Sequence, residues 1–362
     1  MNINCNLVVN SVSFGHCSIN ILYEFYKRNI EPNLFLIANQ GDLSSYNVEP
    51  EFAQYIKNCA EKAMGSYKRE YPNFRLWHIN QSESGQSFKN YLFTFFECDE
   101  LTKFERNILN NQEKIFVSSS DSKQVFETFG VTRPIIHIPL GYDSKHFYKL
   151  DKTFYKEEVV VWCLNSKIER RKNTVKTIKS WIKKFGNDKR HILHLMIYNV
   201  HLSPEQNSQL LSQAFEGGKP FNINILPYVK NYAELNDAYN CANIVIDMSG
   251  SEGWSLPSFH MVGLGKHAVL HRAPGIKDWG NDENAVMVSP NGKIPIYDGI
   301  HFHQGAPFNQ GNLLTYDDND LMDAFDKVLE RYKKNPINEA GLKLREQFTW
   351  SKTTDVILNH LN

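Results

Sequence analysis

The chain has 362 residues, too many for one ordinary compact core and enough for two domains of roughly 150 to 200 residues each. Forty Lys and Arg balance forty Asp and Glu, so there is no chain-wide cationic field to gather nucleic acid or anionic lipid, and a nucleic-acid partner is not expected. No apolar run approaches the roughly 20 residues that span a bilayer, and residues 1–6 hold no basic segment followed by an apolar one, so the expected location is cytoplasmic.

Leu7, Val8 and Val9, then Ile19, Leu22 and Phe25 at helical spacing, then Leu34, Phe35, Leu36 and Ile37 read as strand, helix and strand. Residues 91–96, 114–117 and 135–139 read as buried strands that complete a first domain over 1–150. The charged and aromatic stretch 147–158 has no period and predicts the inter-domain linker. Residues 159–164 then restart the rhythm. Val175, Ile178, Ile182 and Phe185 mark a helix face, and 194–197, 223–226 and 243–246 read as further strands of a second domain over 151–340. Repeated strand-helix-strand units of this length require parallel pairing, so the expected class is α/β, with two Rossmann-like doubly wound domains facing a cleft. In such sheets ligands bind beyond the carboxyl ends of the strands, where strand order reverses. The six cysteines are scattered, form no C-x-x-C pair, and read as reduced core residues.

The segment richest in chemistry follows the strand ending at Asp247. It runs Met248-Ser249-Gly250-Ser251-Glu252-Gly253-Trp254-Ser255-Leu256-Pro257 and opens a helical pattern that continues to Leu264. Pro257 suits a first helical turn and Ser255 or Leu256 its cap, which leaves free backbone N–H groups facing the loop, a ready site for phosphate or sugar hydroxyls. Glu252, just before the helix, can accept hydrogen bonds from sugar hydroxyls or stabilise positive charge at a sugar carbon; taken alone, it is also what a solvated loop glutamate looks like.

Residues 251–257 resemble the E-G-x-x-L-P element of the retaining GT-B glycosyltransferases of family four, the group that contains sucrose synthases and many mannosyl- and glucosyltransferases. Ser166-Lys167-Ile168-Glu169-Arg170-Arg171-Lys172-Asn173 is similar to that family's G-R-L-x-x-x-K-G element, with Lys167 in the Arg position and Lys172 in the Lys position. Two cations five residues apart, after a strand and before a helix, can grip a diphosphate; without the resemblance they also fit a solvated basic turn. Residues 116–120, 137–143 and 348–351 resemble, in order, segments that close the first domain and lead into the terminal helix, here 341–362, which in the family crosses back to the N-terminal domain.

The resemblance implies transfer of a hexose from a nucleotide-diphosphate sugar, a UDP- or GDP-sugar, to a hydroxyl of a carbohydrate or protein acceptor. It implies retention of configuration, no metal, and no cofactor beyond that co-substrate. It assigns the donor to Lys167, Lys172, Gly253, Trp254, Ser255 and Leu256. The family's second glutamate, which binds ribose, is replaced here by His260, which as a neutral imidazole makes one hydrogen bond where a carboxylate accepts two. In the family the loop after the first strand touches the acceptor and the donor phosphate, so the resemblance implies that Gly15 closely approaches the donor phosphate and that His16 contacts the acceptor; the same residues also suit an ordinary strand-to-helix turn. Glu97 and Asp99 resemble an E-x-D segment of some of these transferases, where one carboxylate orients or deprotonates the acceptor hydroxyl, although Asp99 equally reads as a helix cap.

Three other patterns carry less. Gly263-Leu264-Gly265 leaves a helix and enters a strand, the wrong order for a dinucleotide fingerprint. Asp318-Asn319-Asp320 reads as helix capping before Leu321 and Phe325, not as a metal-binding D-x-D. His301-Phe302-His303 puts two imidazoles on one strand face without a third ligand, inside an aromatic, amide-rich insertion, 295–311. The alternatives to an active transferase are a nucleotide-sugar or carbohydrate-binding protein that keeps the cleft without turnover, and a DNA-modifying glucosyltransferase, which the neutral charge disfavours.

Overall fold

The computed structural model describes residues 2–38, 41–156 and 158–361; expectations that touch residues 1, 157 and 362 lie outside them. Apolar runs dictate two parallel sheets. The first contains β1 (Asn4–Leu7), β2 (Asn33–Leu36), β3 (Asn73–Leu76), β4 (Asn90–Thr94), β5 (Lys114–Val117) and β6 (Ile135–His137), in the order β2-β1-β3-β4-β5-β6. The second contains β7 (Val160–Asn165), β8 (His191–Met196), β9 (Ile223–Ile225), β10 (Ile244–Asp247), β11 (His267–His271) and β12 (Val286–Val288), in the order β12-β11-β10-β7-β8-β9. Every pair in both sheets is parallel. The α/β doubly wound class read from the sequence is the observed one.

Strand order reverses between β1 and β3 in the first sheet and between β7 and β10 in the second. Side chains that follow β7 and β10 are therefore placed by topology at the switch point where doubly wound sheets bind ligands. Helices cover the sheets: α1 (Ser13–Lys27), α2 (Pro50–Ser66), α3 (Lys103–Asn110) and α4 (Ser120–Thr128) in the first half, α5 (Thr174–Phe185), α6 (Pro204–Ala214), α7 (Tyr232–Cys241), α8 (Leu256–Gly263) and α9 (Asp318–Lys334) in the second. Two short turns, α10 (Glu339–Leu342) and α11 (Leu344–Gln347), lead to α12 (Trp350–His360).

Helix α12 returns to the first domain and packs on α1. Arg28, the C-cap of α1, donates to Ser351 Oγ at 2.9 Å and to Asp355 Oδ1 at 2.8 Å. Trp350 is buried, and a Cβ on Gly141 would meet its backbone nitrogen at 2.2 Å, so that approach requires glycine. The same apolar cluster continues from α1 and β1 through Trp350 to Trp254, Phe259 and Tyr239 of the second domain. Apolar side chains thus join the domains on this side.

On the other side an antiparallel ribbon, β13 (Gly292–Pro295) with β14 (Asn312–Thr315), leaves the second domain and reaches the first. Ile296, Phe302 and Leu313 are buried in one cluster with Ile79, Phe96 and Leu101. Thr102 Oγ1 donates to the Pro307 carbonyl at 2.7 Å, and the Asn309 N–H donates to Glu105 at 2.9 Å. The insertion at 295–311, whose residues carry no local chemical motif, is a strap between the two domains.

Candidate functional site

After β7 the chain makes a tight turn over Arg170–Lys172, which Asn173 ends in the left-handed region at φ 52°. Asn173 Nδ2 donates to the Met248 carbonyl at 2.8 Å, and the Gly250 N–H donates to the Arg171 carbonyl at 2.8 Å. The two loops at the switch point are thereby stitched together. Lys172 Nζ contacts Glu252 Oε1 directly. Arg171 lies between three carboxylates, with Nη1 at 3.3 Å from Glu252 and 3.2 Å from Glu97, and Nη2 at 2.9 Å from Glu169. Its Nη1 also donates to the Ser251 carbonyl at 2.6 Å.

Burial by itself pushes the Glu252 carboxyl up, but Lys172 and Arg171 outweigh it and hold the group down at about 2. At Glu97 burial prevails over the attraction of Arg171, and with Glu252 nearby its carboxyl is pushed above the usual range. Burial acts against the charged guanidinium of Arg171, yet Glu97, Glu252 and Glu169 together leave it more firmly protonated than an ordinary arginine. Burial lowers the Lys167 ammonium, an effect that Glu169 opposes and that Lys172 and Arg171 reinforce.

The loop that carries Glu252 is rigid for local reasons. Asp247, the last residue of β10, accepts hydrogen bonds from the Ser249 N–H at 3.1 Å and the Ser249 hydroxyl at 2.6 Å, and from the hydroxyls of Ser255 and Ser258. Ser255 caps α8 in the left-handed region at φ 62° without a side-chain cap bond. A Cβ on Gly253 would meet Phe95 Cβ at 2.9 Å, and one on Gly275, at φ 75°, would meet the Glu252 carbonyl at 2.3 Å. Ser118 of the first domain donates to the Gly253 carbonyl at 2.7 Å. Glu252 is therefore held between the two domains, 4% exposed.

Of the residues singled out in the sequence, Lys172, Glu252 and Glu97 meet in one cluster, with Gly253 adjoining it and Lys167 at its edge. The others lie elsewhere. Asp99 caps no helix; it pairs with Lys293 at 2.7 Å and accepts from the Asn312 N–H at 2.6 Å, which ties it to the ribbon. The cap of α3 is Thr102, with Glu105 completing a capping box. Trp254 is buried against Phe259 and Phe348, and its carbonyl accepts from Trp279 Nε1 at 2.7 Å. Leu256 is half-buried at the edge of the same apolar cluster. Gly15 is the third residue of α1, and the close approach it permits is to Asn10, whose carbonyl oxygen would lie 2.2 Å from a Cβ.

His16 and His260 meet each other across the domain interface, ring centroids 5.4 Å apart. His260 is 2% exposed, stacks on Phe147 at 4.2 Å, and its Nε2 accepts from the Asp143 N–H at 3.3 Å. His16 stacks on Tyr232 at 5.3 Å, and its Nε2 lies 3.7 Å from Asp143. His146 Nδ1 completes this buried group at 2.7 Å from Asp143. Arg171, Glu169 and Asp247 join the site without a motif of their own; the charge run 169–172 marks the first two, but only the tertiary structure shows which of its members turns inward.

The chain matches no protein-family model, and no curated protein matches it. Solved structures do resemble it over its full length. Sucrose-phosphate synthase from Thermosynechococcus elongatus superposes with a TM-score of 0.66 at 13% identity, covering 99% of this chain and 98% of that one. HepE from Anabaena, solved with UDP and glucose, gives 0.67 at 12% identity over 100% and 99%. Trehalose-6-phosphate synthase OtsA gives 0.65 at 8% identity over 100% and 99%. Paired parallel sheets, their order and this superposition together make the fold that of the GT-B glycosyltransferases.

Proposed function

We propose that the chain transfers a hexose from a nucleotide-diphosphate sugar, a UDP- or GDP-sugar, to an acceptor hydroxyl with retention and without a metal. The observation that carries this reading is the junction at the switch point of the second sheet, where Lys172 and Arg171 meet Glu252 between the domains. A structural neighbour from Anabaena was solved with UDP-glucose, which supports a nucleotide sugar as the ligand of this architecture.

In this reading the donor diphosphate takes the Lys172 ammonium away from Glu252. The freed carboxylate, still beside Arg171, then accepts the donor-sugar hydroxyls and stabilises positive charge at the anomeric carbon. The bond from that carbon to the phosphate oxygen breaks, the bond to the acceptor oxygen forms on the same face, and the acceptor proton passes to the phosphate. Lys172 stabilises the leaving diphosphate, so no metal is required for that charge. Glu97, with its raised carboxyl, stands on the first-domain side of the same cluster and orients the acceptor.

One observation favours the second reading, a nucleotide-sugar-binding protein without turnover: the position of the second glutamate is a histidine already committed to Asp143. The two separate in an assay of product release from radiolabelled UDP-glucose and GDP-mannose, with and without sugar acceptors. Turnover that falls about 100-fold or more in Glu252→Gln supports transfer. Binding of a donor with no product under any condition supports the second reading.

A further inference from the structure

His16 is enclosed with His260 and Asp143, which leaves acceptor contact to other side chains of the first domain. Four aromatic residues stand at its switch point: Phe14 of α1, which follows β1, Trp77 and His78 after β3, and Phe95 after β4. Phe14 is buried and holds the other three, its ring centroid 4.5 Å from Phe95, 4.6 Å from His78 and 5.4 Å from Trp77. Trp77 and His78 lie 5.2 Å apart with their planes at 76°, so the two rings form a corner. Trp77 Nε1 donates to Gln81 Oε1 at 3.2 Å, which fixes the indole. A Cβ on Gly253 would meet Phe95 Cβ at 2.9 Å, so this aromatic wall abuts the loop that carries Glu252.

Core packing does not account for the wall. Five of the six tryptophans are at most 4% exposed; Trp77 is the exception, half-buried at the carboxyl end of its strand, and His78 beside it is exposed. Residues 80–86, which follow them, are all polar or glycine. Flat rings locked by packing and bordered by amides and hydroxyls suit a ligand with an apolar face and a polar rim. A pyranose with equatorial hydroxyls is such a ligand: its axial C–H bonds make the face and its hydroxyls the rim. A serine or threonine hydroxyl of a polypeptide has no such face. We propose that Trp77 and His78 form the acceptor subsite, and that the acceptor is a carbohydrate whose pyranose ring stacks on Trp77. This names the acceptor class of the glycosyl-transfer reading and rests on that reading for the role of the bound sugar.

The test is saturation-transfer NMR on the full chain with cellotriose, whose glucose rings carry equatorial hydroxyls, with and without UDP. The variants are Trp77→Ala, which removes the ring, Trp77→Phe, which keeps one, and His78→Ala, which alters an exposed side chain. In the wild type, saturation should be strongest at the axial C–H protons of one glucose ring. The Kd for cellotriose should rise about tenfold in Trp77→Ala and stay within about threefold of wild type in Trp77→Phe. No transfer to cellotriose in the wild type overturns the subsite. So does a Kd unchanged in Trp77→Ala or, if that variant does not fold, in His78→Ala. UDP binding to the wild type without cellotriose binding sinks the subsite alone, whereas cellotriose binding that depends on Trp77 without UDP binding sinks the donor reading alone.

Discussion

Arg171 is the residue on which the charge arrangement turns. It is 6% exposed and touches Glu97, Glu169 and Glu252, so replacing it with methionine leaves three carboxylates crowded without their shared cation. Removing one partner of a buried charge network costs about 3 to 5 kcal/mol, well above the cost of losing a surface pair. Arg171→Met should therefore lower the thermal midpoint by several degrees, and a midpoint within one degree of wild type would show that the cluster is not the buried network described. The Glu252 carboxyl shift has the opposite chemical sense to that of Glu97. Because its folded value, about 2, lies below its unfolded one, the stability it contributes is complete above the ordinary carboxylate range and is lost as pH falls towards 2. Glu252→Gln should flatten the acid limb of a denaturation profile over that interval, and an unchanged limb would place the charge elsewhere.

At the scale of elements, the loop from β10 to α8 is fixed by contacts that only small residues allow. Gly275→Ala would put a side chain at φ 75° and drive it into the Glu252 carbonyl, so we expect a stability loss of about 2 kcal/mol or more together with loss of donor turnover. Stability and turnover both retained in that variant would mean that the loop is free to move. The ribbon is the second such element. Phe302 fills a pocket in the first-domain cluster, and Phe302→Ala should cost about 3 kcal/mol and increase proteolysis between residues 295 and 312. Equal cleavage rates for wild type and variant would remove the strap from the account.

These elements were unequally legible in the sequence. Four strands of the second sheet announce themselves as apolar runs, and 223–226 and 243–246 fall within a residue of β9 and β10, whereas the three-residue β12 gives no such run. Strand β3, Asn73–Leu76, has no such run because polar Asn73 and Arg75 alternate with Phe74 and Leu76 over only four residues. The Glu252 loop was visible because glycine, proline and a capping serine punctuate it. The ribbon was not, since its apolar residues serve the core of the other domain and so have no local period. For the same reason His260 looked like a ligand for ribose: nothing near it in the chain shows that Phe147, His16 and Asp143 enclose it.

Across the whole molecule, the interface on the α1 side is sensitive to acid. Burial lowers His16 to about 4 and His260 well below its ordinary value, with Asp143 opposing both shifts. A histidine depressed on folding contributes stability that is full above its unfolded value near 6.5 and is lost as pH falls towards the folded value. His16 alone accounts for about 3 kcal/mol between pH 6.5 and 4 by this arithmetic. The thermal midpoint should decline over that window and decline less in His16→Asn; a flat profile would mean that the rings are not buried between the domains.

In the proposed reading, the positive groups after β7 hold a diphosphate at the second domain's switch point. Titration of UDP and GDP into wild type and Lys172→Met in a calorimeter decides whether they do. One of the two nucleotides should bind the wild type, and its affinity should fall about tenfold or more in the variant. Equal affinity in the two proteins, or no binding of either nucleotide to the wild type, would contradict it.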